Sequence, residues 1–187
     1  MSQPPGSTAE IISRRERDYL LAKTKVKMRT SLENIELGDY SIASFNEGQV
    51  VEVPRWIGEE LVALKLAEPQ EEQFEGEVYR ALSREKMMGP LQLPPLPGEF
   101  YMRMRRRLSV LESEVSGGAV KREDLDRLRS SCYDLVGMRL SKLLSLSSSS
   151  SPSAALSDKL TPEEAAFFSL SQSLSREWKD ALLGAGK

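Results

Sequence analysis

The sequence predicts a mainly α protein with a small α+β module: a β-rich satellite domain near the N-terminus, followed by a helical-bundle domain. Three observations lead there. Lys25-Val26-Lys27-Met28-Arg29 alternates polar and apolar residues, the period of a half-buried strand. Beyond Pro69 the apolar residues recur at helical spacing instead. Thr161-Pro162-Glu163-Glu164 joins a capping threonine, a proline at the first helical position and a glutamate three residues after the cap, which marks a helix start.

In chain order, residues 1–23 read as an N-terminal helical extension, with Ile11, Ile12, Tyr19, Leu20 and Leu21 among charges from Thr8 to Ala22. The mixed-sign run Arg14 to Asp18 reads as a solvated face. Residues 24–69 form the small β-rich domain. The strand at Lys25 is followed by a turn at Gly38-Asp39, a second strand from Tyr40 to Phe45, a turn at Asn46-Glu47-Gly48 and a third strand from Val50 to Val53. Pro54 ends that strand and suits the first helical turn, where its missing N–H costs nothing. Trp56, Ile57, Leu61 and Leu64 then recur helically through Leu66. A module this small is marginal by itself, so it is expected to lean on other structure.

Residues 70–187 form the α-helical domain. Helices are predicted for Gln73 to Met88, Phe100 to Val115, Lys121 to Leu146, and from Thr161 onward. Gly89-Pro90 and Gly117-Gly118 are the stops. Leu91 to Pro97 is a stiff, extended connector, with a polyproline ligand as the weaker reading. The third helix carries Leu125, Leu128, Cys132, Leu135, Val136, Leu140, Leu143 and Leu144, a face broad enough to need more than one neighbour. A flexible serine-rich loop is expected at 145–158. The last helix offers Phe167, Phe168, Leu170, Leu174, Trp178 and Leu182 as apolar positions.

Composition excludes several chemistries. The 187 residues contain no histidine and one cysteine, which removes Ser-His-Asp and Cys-His catalysis, histidine-based zinc sites and internal disulfides. Cys132, in an apolar-periodic stretch with no base nearby, reads as a buried thiol rather than a nucleophile. No phosphate-binding glycine-rich loop occurs. The acidic pairs at 59–60, 71–72 and 163–164 fall on helices or helix starts, where solvation and helix-dipole complementation explain them better than catalysis. The expectation is therefore no catalytic residue, no metal and no cofactor. A net charge of −2 exerts no global pull toward nucleic acid or membrane. No apolar run approaches the about 18 residues of a membrane span, and Met1 to Gly6 lacks the apolar core of a signal peptide. A cytoplasmic location follows, or a nuclear one in a eukaryote.

Four candidates remain for recognition. The cluster Arg103, Arg105, Arg106 and Arg107 suits either pairing with acidic residues on neighbouring helices or subunits, or a salt-sensitive contact to DNA phosphate. Pairing is favoured, because no aromatic residues interleave for base stacking. Arg139 shares a helix side with Cys132, Leu135 and Val136, so its guanidinium reaches an apolar surround and demands a carboxylate or several carbonyls. Trp56 and Trp178 read first as core residues and second as interface anchors.

Several of these segments occur together in a known family. Val51-Glu52-Val53-Pro54-Arg55-Trp56-Ile57, then Glu59-Glu60-Leu61 and Ala67-Glu68-Pro69, resembles the small β-rich domain of GINS subunits. Glu99-Phe100-Tyr101 resembles the FY motif that opens a basic helix of their helical domain, and Asp134-Leu135 through Arg139-Leu140, Lys142 and Leu143 resembles their RxxK helix. Leu160-Thr161-Pro162-Glu163-Glu164 is similar to the start of their final helix, with Trp178 near its end. The order, small domain before helical domain, resembles the archaeal type. The resemblance implies a non-catalytic subunit of a homo- or heterotetramer of GINS subunits, a scaffold for the replicative MCM helicase and a RecJ- or Cdc45-like partner in DNA replication. Residue chemistry and resemblance together make Trp56, Phe100, Tyr101, Arg103, Arg139 and Trp178 candidate interface residues, while the basic cluster leaves weak DNA contact as a further possibility and composition points to no membrane partner. The competing reading is a stand-alone nucleic-acid-binding module built on the basic segments 25–29 and 103–107.

Overall fold

A computed structural model describes residues 8–33, 35–37, 40–42, 44–70, 74–149 and 154–184. They form two compact units: residues 14–72, and residues 73–187 together with the chain up to Ser13. The elements of the first part are α1 (Thr8–Leu21), β1 (Lys23–Met28), β2 (Ile35–Leu37), β3 (Tyr40–Ile42), β4 (Val50–Pro54), α2 (Arg55–Ala63) and β5 (Ala67–Pro69). They are followed by α3 (Phe74–Met87), α4 (Phe100–Ser116), α5 (Arg122–Ser149), α6 (Ala154–Ser157) and α7 (Pro162–Leu183). The protein is mainly α, with a small sheet near the N-terminus.

In the small unit β1 is the central strand of three, antiparallel to β4 on one side and β5 on the other. The alternation in its sequence is realised directly: Val26 and Met28 are buried, Lys25 and Lys27 exposed. Val51 and Val53 of β4 join them, and Ile57 and Leu61 of α2 close the core. The helix approaches the sheet closely at Gly58, where a Cβ would stand 2.8 Å from Thr24 Cγ2. Pro54 is both the last residue of β4 and the N-cap of α2, just ahead of the first helical turn expected for it. β2 pairs with β3, and a single bridge joins Leu32 to Phe45.

Three strands were expected in this unit, and five are present among the described residues. β2 and β5 span three residues each, too short for alternation to register. The helix expected to run through Leu66 ends at Ala63; Lys65 then adopts φ 62°, turning the chain back into β5. The expected turn at Gly38-Asp39 lies outside the described residues.

In the helical unit α5 is central and packs on α3, α4 and α7. Its broad apolar face meets two clusters. Leu125, Leu128, Cys132 and Leu135 lie with Phe74, Val78, Leu82, Leu96, Phe100 and Leu111, whereas Leu143 lies with Leu93 and Phe168. The connector is therefore no free ligand: Leu93, Pro94 and Leu96 are buried.

The serine-rich segment departs from expectation, since α5 runs on through Ser149 where a loop was predicted from 145. The hydroxyls of Ser145, Ser147 and Ser148 donate to the carbonyls of Ser141, Leu144 and Ser145, at 3.0, 2.9 and 2.9 Å. Bonded back onto their own helix, they no longer compete with it for backbone groups. Residues 150–153 of that segment lie outside the described residues.

Candidate functional site

Within the helical unit, a charged network is built into an apolar core. Arg139, wholly buried, projects from α5. Its Nε and Nη2 donate to Glu164 Oε1 and Oε2 at 2.5 and 2.8 Å, a two-pronged pair. Its Nη1 donates to Glu85 Oε2 at 3.0 Å and to the Pro94 carbonyl at 2.9 Å. One helical turn on, Lys142 Nζ donates to the carbonyls of Glu85 and Gln92 at 3.1 Å each and lies 2.7 Å from Glu85 Oε1. That last contact is an ion pair without hydrogen-bond geometry. Tyr101 Oη completes the set by donating to Glu164 Oε1 at 2.7 Å.

Two cations and two carboxylates thus balance in a space closed to water. Burial opposes the charge on Arg139, but the bonds to Glu164 outweigh it and hold the guanidinium pKa above its ordinary value. Burial, then the adjacent Glu164 carboxylate, pushes the Tyr101 phenol well above the usual tyrosine range. Burial alone pushes the Cys132 thiol up to about 11, so it is no thiolate near neutral pH. Chemically the network is a clamp. Glu164 serves twice, since its backbone N–H donates to Thr161 Oγ1 and its carboxylate accepts from the Thr161 N–H, the reciprocal cap of α7. Arg139 and Lys142 also take up carbonyls at Glu85, Gln92 and Pro94, which fastens the proline-rich connector to α5.

Beside this clamp lies an apolar groove of about 440 Å³. Its walls come from Met102, Met104 and Leu108 of α4, Val136 and Leu140 of α5, Phe167 and Leu170 of α7, and Ile11 and Ile12 of α1. From Leu170 the apolar surface continues along α7 through Leu174, Trp178 and Leu182, spaced four residues apart on one helix face. Those three side chains are 68%, 65% and 64% exposed. On α5, Leu140 and Leu144 are exposed as well.

The six candidate residues fall into distinct environments. Tyr101 and Arg139 meet on Glu164. Phe100 is core at 1% exposure, tilted against Phe74 and edge-on to Tyr101. Arg103 pairs with Glu77 at 2.8 Å and lies over the Phe74 ring. Trp56 is half-buried against the core of the small unit. Trp178, read first as core, is instead exposed, because the second half of α7 has no described neighbour over its apolar side. In the basic cluster Arg107 pairs with Glu75 and Glu114, which with the Arg103 pair follows the acidic-partner reading. Glu85 and Lys142 were missed as site residues, and Glu164 was read only as a cap. A signal existed for Glu85: it follows Val78, Ala81 and Leu82 by seven, four and three residues, on the apolar face of α3.

Among the described residues no group of histidine, cysteine, aspartate or glutamate side chains is placed to hold a metal, and no helix is long and apolar enough to cross a membrane. A helical bundle with an internal salt-bridge clamp, an open apolar groove and an exposed apolar stripe defines a class of protein, the assembly subunit. The family model for the GINS complex protein helical bundle domain (Sld5) matches residues 56–183, most of the chain. The chain belongs to the GINS family, whose members are structural subunits of a DNA-replication complex. No curated protein matches it.

Proposed function

We propose that this chain is a non-catalytic scaffold subunit of a GINS tetramer, docked to sister subunits through the groove and the outer stripe of α7. The stripe carries the reading: Leu174, Trp178 and Leu182 present a row of large apolar side chains on a folded helix. Soluble monomers seldom leave such a row uncovered, and aromatic anchors of this kind dominate protein interfaces. The charged clamp supports it by holding α7 against α5, so the stripe is presented on a rigid element. The family resemblance supplies the wider role, in which the tetramer joins the MCM helicase to a RecJ- or Cdc45-like partner. An archaeal source suits the small domain's position ahead of the helical one.

Light scattering after size exclusion tests the proposal, on the chain alone and co-expressed with candidate sister subunits. A tetramer in the first preparation makes the assembly homomeric; one in the second alone makes it heteromeric. A clean monomer in both rejects the scaffold reading. The competing stand-alone DNA-binding module loses support at 103–107, where Arg103 and Arg107 are engaged by carboxylates.

A further inference from the structure

The solvent face of the small sheet carries a separate feature. Lys23, Lys25, Lys27 and Arg29 occupy alternate positions along and just beyond the central strand β1, all on the face opposite Val26 and Met28. At about 3.3 Å per residue the row is roughly 20 Å long. Two carboxylates flank it: Glu52 of β4 stands opposite Lys25, and Glu68 of β5 opposite Lys27. Neither neutralises its direct neighbour. Glu52 is taken diagonally by Lys23 at 3.4 Å, and Glu68 by Arg29 at 2.6 Å. Among the described residues, Lys25 and Lys27 have no ion pair or hydrogen bond to their ammonium groups, and both are exposed.

We infer that this face binds the phosphate backbone of DNA, with Lys25 and Lys27 as its principal contacts. A straight row of cations on a strand matches a linear polyanion of regular charge; a single phosphate or carboxylate ligand needs converging donors instead. An acidic peptide is the poorer fit. Sheets capture peptides along an edge, with pockets for alternate side chains, whereas this is the face of a central strand. The choice of DNA as the polyanion rests on membership of a DNA-replication family. The contact is sequence-independent and salt-sensitive, a guide for the strand rather than an anchor.

Fluorescence anisotropy of a labelled oligonucleotide, single-stranded and duplex, titrated with the full chain over a range of salt concentrations, tests this. The wild type is expected to bind at low salt. The double variant Lys25→Gln/Lys27→Gln is expected to bind more weakly and to lower the log–log salt slope by about two, near 0.9 per lost phosphate contact. Lys86→Gln/Lys121→Gln, which removes the same charge from exposed positions on the helical unit, is expected to leave both unchanged. No binding by the wild type at low salt, or an equal loss in both double variants, overturns the assignment. So does competition by poly-glutamate as effective as by unlabelled DNA, which would make the occupant an acidic protein segment.

Discussion

At the residue scale, Arg139 decides the most. Removing it takes the guanidinium from two buried carboxylates, leaving Glu85 with Lys142 alone and Glu164 with no cation, only the Tyr101 hydroxyl and the Thr161 N–H. Breaking a buried pair from one side costs about 3–5 kcal/mol. Arg139→Leu is accordingly expected to lower the unfolding free energy by about that amount in urea titrations monitored by circular dichroism. Arg139→Lys is expected to recover little, since an ammonium cannot span both oxygens of Glu164. Tyr101 makes a pH-dependent contribution. Its phenol ionises near pH 10 in the unfolded chain but is held protonated to higher pH in the fold. The unfolded state therefore loses its proton first, and this contribution is complete below about pH 10 and lost as pH rises further. Cys132 acts in the same direction, with its loss lying between about pH 9 and its folded value of about 11. Urea midpoints measured across this alkaline range should fall for the wild type and fall less steeply for Tyr101→Phe.

At the element scale, the close approach of α2 to the sheet depends on Gly58. Alanine improves helix propensity by about 1 kcal/mol at an ordinary position. Here its Cβ would meet Thr24 Cγ2 at 2.8 Å and Val26 Cγ1 at 3.3 Å, both on the rigid, β-branched side chains of the central strand. Overpacking of this kind costs about 1–3 kcal/mol, so Gly58→Ala is expected to be destabilising. A rise in thermal midpoint would show that α2 can lift off the strand without loss. The serine stretch of α5 teaches a related point about composition. A serine run reads as a loop because its hydroxyls compete for backbone groups, yet those of Ser145, Ser147 and Ser148 bond to carbonyls of the helix they sit on.

At the scale of the whole molecule, folding and assembly are served by different halves of the same helix. Glu164 and Phe168, in the first half of α7, are buried in the core, whereas Leu174, Trp178 and Leu182, in its second half, are exposed. Leu174→Glu/Trp178→Glu/Leu182→Glu should therefore leave the helical circular-dichroism signal unchanged and the unfolding free energy within about 0.5 kcal/mol of wild type, as for ordinary surface changes. The same variant should abolish association with sister subunits in light scattering. If it unfolds the chain instead, the stripe belongs to the core and the interface lies elsewhere.

Much of this architecture is legible in local pattern. The alternation at Lys25 to Arg29, the four long helical segments and the Thr161 cap all follow from periodicity and capping chemistry, which act over a few residues. The absence of histidine and the single cysteine already removed whole classes of catalysis, whatever the fold. A need for a partner at Arg139 was also readable, because an arginine on an apolar helix face cannot stay unpaired. The identity of that partner was not. Glu85 and Glu164 are 54 and 25 residues away from Arg139 in sequence, and only the packing of α3 and α7 on α5 brings them together. The outward turn of Trp178 has the same origin. A helical stripe of apolar residues reads identically whether the neighbour that covers it lies in the same chain or in another, and only the tertiary structure shows that α7 outruns its own core.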